Sequence, residues 1–237
     1  MALPKLIVPT FTAVIPSTKE PIKFRPFLVK EEKLLLMALE GNDPTEIEEA
    51  ITNILSECII TPGFDVRKLA SYDVEYLFIM LRAKSVGEFV DLNLRHGSES
   101  KCTHITKHSL DLTKIKTKFN PEHTNIIHIT EELGLKMRDP SLHDIAKNMD
   151  QTQDELDNII SIIASCVEHV FDIDTVYEEF SHKEMVELLS NMTQKQFTNV
   201  QKFFETIPVM THTIDWTCEE CMKTDTIVLE GLQSFFM

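Results

Sequence analysis

The sequence is poor in glycine, in tryptophan and in positive charge. Its 237 residues include only 6 glycines and one tryptophan, and 23 Lys and Arg residues stand against 38 Asp and Glu residues. Phosphate-loop, dinucleotide-binding, Gly-x-Ser-x-Gly and His-Glu-x-x-His patterns are all missing. A net charge of −15 repels a phosphate backbone, which disfavours binding to DNA or RNA. We therefore expect a protein that is not an enzyme and has no nucleic-acid partner.

The chain also lacks the long apolar run that a membrane helix needs, which is about 18 residues. It begins Met-Ala-Leu-Pro-Lys-Leu, without a basic segment followed by a long apolar core, so we expect neither a signal peptide nor a membrane partner. Five cysteines, an odd number, are typical of reduced thiols in such a chain rather than of a disulfide scaffold. An apolar content of 43% is sufficient for a globular core.

Three segments predict β-hairpins: residues 6–27, 88–114 and 211–229. In the second, Val90, Leu92 and Leu94 alternate with polar residues, which is the period of a half-buried strand. We expect these hairpins to form a mostly antiparallel layer. We also expect the hairpins 88–114 and 211–229 to pair, although about a hundred residues separate them.

Other segments carry apolar residues at helical spacing, and several begin with a capping residue such as Asp43, Ser181 or Thr193. The predicted helices are 44–58, 71–83, 153–170, 182–191 and 194–205. The last three form a helical subregion, 152–206. The prediction is thus an α+β fold, with antiparallel hairpins and a packed helical unit in one domain, 1–237.

The segment Cys218-Glu219-Glu220-Cys221 lies at the turn of the last hairpin. Two thiolates at this spacing can hold one tetrahedral zinc ion, but a structural zinc site needs four ligands. The polar tip of the 88–114 hairpin offers the others. We rank Cys102 as the third ligand and His104 as the fourth. His96 is the alternative; it is in phase with Val90, Leu92 and Leu94, so its ring need not point at the tip. The two hairpins would then resemble a zinc ribbon split by the inserted helices.

Two other interpretations of the cysteine pair stay open. The thiols can be free residues in a turn, or they can form a redox-active pair. A redox pair normally opens a helix after a strand, whereas this pair lies in a hairpin turn. Glu219 and Glu220 should in addition raise the thiol pKa values, which opposes redox chemistry. Cys58 and Cys166 lie on apolar helix faces, where buried structural thiols are usual.

The chain ends in a second apolar feature, the sequence LEGLQSFF. Chain ends seldom carry so much apolar area unless it is covered. Leu232, Phe235 and Phe236 are therefore our candidate partner-binding residues.

Three stretches of the sequence together resemble a known family. They are LPKLIVPTFTAVIPSTKEPIKFRPFLVKEEKLLLMALE at the start, DVEYLFIMLRAKSVGE in the middle, and NMTQKQFTNVQKFFETIPVMTHTIDWTC followed by IVLEGLQSFF at the end. They are similar to the baseplate hub assembly proteins of T-even-like contractile-tailed phages.

The resemblance implies a non-enzymatic viral protein, made late in infection in the host cytoplasm. Such a protein would act as a chaperone-like factor or as a minor structural subunit of the central hub of the tail baseplate. Its partners would be other hub and spike proteins, and it could remain in the virion tail. A zinc-ribbon-type interaction adaptor is the alternative function, and one structural zinc is the cofactor that the cysteines suggest.

Overall fold

The computed structural model describes residues 6–41, 43–97, 101–148 and 154–235, with the side chains of Gln233 and Phe235 excepted. The strands are β1 Phe11–Val14, β2 Pro21–Phe24, β3 Phe89–Leu94, β4 Thr106–Asp111, β5 Lys116–Lys118, β6 Ile126–His128, β7 Gly134–Met137, β8 Val167–Phe171, β9 Val176–Tyr177, β10 Val209–Thr217 and β11 Thr224–Glu230. The α-helices are α1 Val29–Gly41, α2 Pro44–Cys58, α3 Ser71–Ser85, α4 Leu142–Asn148, α5 Glu155–Cys166, α6 His182–Ser190 and α7 Gln194–Glu205. Short 3-10 helices lie at Val66–Lys68, Leu112–Lys114 and Leu232–Phe235. The α+β prediction is confirmed.

The N-terminal part of the chain packs β1 and β2 against helices α1, α2 and α3 around a first apolar core. Asp43 begins α2, because its carboxylate accepts a hydrogen bond from the Thr45 N–H at 2.8 Å. Helix α3 buries residues on several sides, with Phe78 in the first core and Ile79 in another. This central position explains why α3 carries apolar residues around most of its circumference.

A second core forms between the sheet β6-β7-β8-β9 and helices α5, α6 and α7. Local sequence determines the starts of the last two helices. Ser181 with Glu184, and Thr193 with Gln196, form complete capping boxes. The helical subregion therefore contains strands as well as helices.

The predicted helix 153–170 is wrong at its C-terminal end. Helix α5 ends at Cys166, and the next residue begins β8, which pairs antiparallel with β7. Val167 and Val170 are buried in the strand, and their spacing also continues the apolar face of α5, so the sequence pattern fits a helix and a strand alike. Pairing with the edge of β7 favours the strand. The β-branched side chains of Val167 and Val170 favour it as well.

The expected single β-layer is also wrong, because the described strands form four separate sheets. Two are the hairpins β1-β2 and β3-β4; the third has the order β11-β10-β5, and the fourth is β6-β7-β8-β9. β5, which the sequence did not predict, leaves the β3-β4 hairpin through a 3-10 turn and pairs with β10. The β3-β4 and β10-β11 hairpins thus lie in different sheets and share a third core, which includes Leu94, Leu110 and Trp216.

Polar contacts join the second core to the rest of the molecule. Asp139, just after β7, accepts a hydrogen bond from the Tyr72 hydroxyl of α3 at 2.8 Å and lies 3.0 Å from Nε2 of His123. The other ring nitrogen of His123 lies 3.0 Å from the Thr206 hydroxyl at the end of α7. Of the helices in the described ranges, none is both long enough and apolar enough to cross a membrane.

Candidate metal centre

The turn between β10 and β11 presents the two cysteines of the Cys-x-x-Cys segment. The Cys218 N–H donates to the Lys223 carbonyl at 2.9 Å, and the Met222 N–H donates to the Cys218 carbonyl at 3.0 Å. Met222 adopts a positive φ of 55°, which closes the turn. The Cys218 side chain is fully buried and Cys221 is half-buried. The hairpin therefore fixes both sulfur atoms on its inner side.

The β3-β4 hairpin supplies a ring and a third sulfur to the same place. The Cys102 Sγ atom lies 3.8 Å from the Cys218 Sγ atom, and His96 Nε2 lies 3.3 Å from the Cys221 Sγ atom. One ligand atom from each residue falls within 4.8 Å of every other. We call this group the Cys3His cluster; its members are His96, Cys102, Cys218 and Cys221. It could hold a metal ion.

His96 is held by two further contacts. Its Nδ1 atom lies 3.2 Å from an Asp225 carboxylate oxygen, and its ring centroid lies 4.9 Å from that of Trp216. Only 6% of the His96 side chain is exposed. His96 follows Leu92 and Leu94 on the inward face of the hairpin, as its phase in the strand indicates. The sequence analysis took this phase to mean that the ring need not point at the tip, yet the ring reaches Cys221. No sequence pattern singles out Asp225, which is brought to the ring because it pairs with Trp216 in the β10-β11 register.

His104, ranked fourth from the sequence, lies outside this group. Its ring nitrogens lie 3.8 Å and 3.6 Å from carboxylate oxygens of Glu219 and Glu220. The structure thus gathers the three cysteines that the sequence selected and places His96, the alternative, at the fourth position. Metal binding by these residues stays a prediction.

The expectation that Glu219 and Glu220 leave Cys218 with a raised pKa is wrong, because the pKa of this thiol is lowered. Hydrogen bonds from the backbone N–H groups of Cys221 and Glu220, aided by His96, outweigh burial and lower the pKa of Cys218 to about 6. The side chains of Cys218 and Asp225 in turn raise the pKa of His96. For Cys102 the His104 N–H favours the thiolate, but desolvation and the two nearby sulfurs outweigh it and raise the pKa.

The two remaining cysteines lie in apolar cores. Cys58 and Cys166 are fully buried, and burial raises the pKa of Cys58 to about 11 and that of Cys166 to about 12. Such thiols are unreactive and have a packing role. The interpretation of both residues as buried structural cysteines is confirmed.

Of the three candidate partner-binding residues, only Leu232 is described with its side chain. Leu232 is half-buried and packs against the first and third cores, and its N–H is held by the Glu75 carboxylate of α3. For Phe235 only the backbone is described, and Phe236 lies outside the described residues. Their role in partner binding stays a prediction.

Fold and site together define an α+β protein in which two hairpins, remote in sequence, meet at a Cys3His cluster. The chain belongs to the family described as T4 bacteriophage base plate protein, whose match covers residues 8–237. It is similar to the baseplate hub assembly protein gp26 of Enterobacteria phage T4. The two are 25% identical over 218 residues, which is 91% of this chain and 92% of that protein. No solved structure matches the chain.

Proposed function

We propose that this protein is a non-enzymatic assembly factor for the central hub of a phage tail baseplate, and that it acts by binding other hub and spike proteins. The observation that carries the proposal is the family match over residues 8–237. The hub assembly protein of phage T4 aligns over almost its whole length as well, so the similarity covers the complete chain rather than one motif. The protein acts in the infected cell, where tails are assembled.

The surface of α1 supports a role in protein binding. Val29 and Leu36 lie two turns apart on one face of this helix and are 81% and 54% exposed. Leu39 extends the same face, while Leu34 and Met37 project from another side with more than half of their area exposed. So much apolar surface on one short helix is typical of a site that another protein covers.

The test is co-purification from infected cells. A phage that carries an affinity tag on this protein should yield complexes with hub and spike proteins, identified by mass spectrometry. A phage from which the gene is deleted should accumulate heads without complete baseplates. If hub proteins are absent from the purified material and deletion leaves the number of complete tails unchanged, the assembly role is wrong.

The composition of purified tails distinguishes a structural subunit from a chaperone-like factor. A minor structural subunit is present in finished tails at a fixed ratio to the other hub proteins, whereas a chaperone-like factor binds them only before the tail is complete. Quantitative mass spectrometry of tails and of tail-assembly intermediates distinguishes the two. A protein found only with the intermediates is a chaperone.

A second candidate function is a zinc-ribbon-type interaction adaptor, with one structural zinc as its cofactor. The Cys3His cluster at the meeting point of the two hairpins favours this alternative. In an adaptor the hairpin tips themselves contact the partner. Exposed substitutions at the tip, such as Glu219→Lys with Glu220→Lys, would then abolish binding, whereas the assembly role through α1 predicts that binding persists.

A further inference from the structure

We propose that the Cys3His cluster binds one zinc ion in a closed tetrahedral site that joins the β3-β4 hairpin to the β10-β11 hairpin. The proposal is independent of the assembly role, because metal content and ligand identity can be measured on the isolated protein. It rests on the distances within the cluster, on the hydrogen bonds to its sulfur atoms and on the contacts of its histidine ring.

The first argument is the spacing of the ligand atoms. With Zn–S bonds of about 2.3 Å and Zn–N bonds of about 2.0–2.1 Å, tetrahedral geometry separates two sulfurs by about 3.8 Å and a sulfur from a nitrogen by about 3.6 Å. The Cys102–Cys218 sulfur distance is 3.8 Å, and the distance from Cys221 sulfur to His96 Nε2 is 3.3 Å. All other pairs lie within 4.8 Å, so the cluster already has nearly the size of a zinc site.

The second argument is that backbone N–H groups point at the sulfur atoms. Cys218 accepts from the N–H groups of Glu220 and Cys221, and Cys102 accepts from that of His104. N–H donors stabilise the thiolate, which is the form of cysteine that binds a metal. The turns around both cysteines therefore direct N–H donors that stabilise the thiolates, although the carboxylates of Glu219 and Glu220 lie nearby.

The third argument is the environment of His96. A histidine that binds zinc through Nε2 carries its proton on Nδ1, and that N–H usually donates to a carboxylate. Asp225 accepts in this position, at 3.2 Å from Nδ1. Trp216 lies against the ring and shields it from water. One hairpin thus supplies the ring, while the other supplies the carboxylate and the aromatic side chain that orient it.

A disulfide is the competing use of these thiols. It requires sulfur atoms about 2.05 Å apart, whereas the Cys102 and Cys218 sulfurs are separated by 3.8 Å, and none of the five cysteines, all of which lie in the described ranges, forms a disulfide. Four ligand atoms that converge on one point fit a shared ion better than a bond between two of them. Sulfur-rich tetrahedral sites take zinc or iron, and a mixed set of three thiolates and one imidazole in a structural site is typical of zinc.

The ion would have a structural effect because its ligands are remote in sequence. Cys102 and Cys218 are 116 positions apart, and His96 and Cys221 are 125 apart. Helices α4 to α7 and the second core all lie between them in the chain. A zinc ion here closes a long loop, and its binding free energy adds to the stability of the folded state.

Metal analysis of the full chain, expressed with zinc and iron in the medium and purified without chelator, is the direct test. We expect about one zinc per chain and almost no iron. Cys218→Ser and Cys221→Ser should each lower the zinc content several-fold, whereas Cys58→Ala should leave it unchanged. A wild-type protein that folds with far less than one zinc, or that holds iron instead, overturns the proposal.

The identity of the fourth ligand has its own test with matched histidine variants. Cobalt-substituted protein should show the thiolate charge-transfer bands and the intense visible bands of a tetrahedral ion. His96→Ala should change that spectrum and weaken metal binding at least tenfold, His96→Cys should restore binding, and His104→Ala should alter neither. If His104→Ala weakens binding and His96→Ala does not, the assigned ligand set is wrong.

A stability measurement covers the case in which a variant fails to fold. Removal of zinc from wild-type protein with a strong chelator should lower its Tm and expose all three cluster thiols to a thiol reagent, and added zinc should reverse both changes. The same treatment should leave the Tm and the thiol reactivity of the His96→Ala and Cys221→Ser double variant unchanged. A chelator-insensitive wild-type Tm contradicts the proposed structural role.

Discussion

At the scale of single residues, a dense polar network outside the cluster centres on Asp144 of α4. Arg138 donates to both carboxylate oxygens of Asp144, at 2.6 Å and 2.9 Å, and also donates to the Ser165 carbonyl of α5 at 2.7 Å. The N–H and hydroxyl of Ser141 donate to the same carboxylate. Burial disfavours the charge on Asp144, but these bonds outweigh it and lower its pKa. The network ties β7, α4 and α5 together.

We predict that Asp144→Asn destabilises the protein by roughly 2–3 kcal/mol, because it leaves the Arg138 charge without its bidentate partner. The contribution of Asp144 is present above the unfolded pKa of an aspartate and is lost as the pH falls through its lowered folded pKa. Urea unfolding at several pH values measures both effects. Asp91→Asn, which changes an exposed aspartate on β3, is the control. Equal effects of the two substitutions at pH 7 would contradict the role of the network.

Glu75 of α3 makes the stability of the folded state depend on pH in the opposite direction, because its pKa is raised. Burial raises its pKa from 4.5 to about 7, although the hydrogen bond from the Leu232 N–H lowers it in part. The folded state therefore binds this proton more tightly than the unfolded state does. Ionisation of Glu75 costs nothing below about pH 4.5, and the cost grows up to about pH 7.

We predict that Glu75→Gln stabilises the protein at pH 8, by up to about 3 kcal/mol, because glutamine keeps the acceptor for Leu232 without the buried charge. The difference from wild type should vanish near pH 4.5. Thermal unfolding across this pH range is the measurement. Glu179→Gln, at an exposed position, should show no such trend. A gain that is independent of pH would mean that charge is not the cause.

At the scale of single elements, α1 differs from the other helices in what it leaves uncovered. Its inner side contributes Leu35 and Ala38 to the core, and Glu31 there is bonded to Arg25 and to the Leu28 N–H. Its outer side is mixed, with exposed Val29, Leu34, Leu36, Met37 and Leu39 beside exposed Lys30, Glu32, Lys33 and Glu40. Apolar side chains that the rest of the described chain leaves uncovered, bordered by charged ones, make α1 a candidate contact surface for a hub protein.

We predict that the double substitution Val29→Gln and Leu36→Gln lowers the recovery of hub proteins at least tenfold in co-purification from infected cells. Both side chains are mainly exposed, so the free energy of unfolding should change by less than about 1 kcal/mol. Ile173→Gln removes a similarly exposed apolar side chain far from α1 and is the matched control. Undiminished recovery of hub proteins by a folded α1 variant would exclude this face as the contact.

At the scale of the whole molecule, three apolar cores are joined by α3 and by the polar contacts of Asp139. Tyr72 and His123 bind its two carboxylate oxygens from opposite sides of the boundary between the first and second cores. The same aspartate holds the pKa of Tyr72 above its usual value, after the larger effect of burial.

We predict that Asp139→Ala destabilises the protein by roughly 1–3 kcal/mol and speeds amide hydrogen exchange at the start of α3 and the end of α7. Asp172→Ala is the matched control, since Asp172 also accepts a hydrogen bond from a tyrosine hydroxyl, that of Tyr177, but within one local turn. Its effect on exchange should stay confined to β8 and β9. Unchanged exchange at α3 and α7 in Asp139→Ala would show that the Asp139 contacts do not join the two parts.

The sequence by itself determined the features that depend on near neighbours in the chain. The capping boxes at Ser181 and Thr193, the alternation in β3 and the Cys218–Cys221 turn all formed where the sequence predicts them, because each is fixed within a few residues. Three of the four residues of the Cys3His cluster followed from residue type and spacing.

Only the tertiary structure decided the features that depend on remote partners. Residues 167–171 form a strand because β7 lies beside them, and β5 exists because β10 offers it an edge. His96 rather than His104 reaches the cysteines because the hairpins meet on the inner face of β3, with Asp225 and Trp216 placed by the β10-β11 register. These choices depend on contacts between residues that lie far apart in the chain, for which local spacing carries no information.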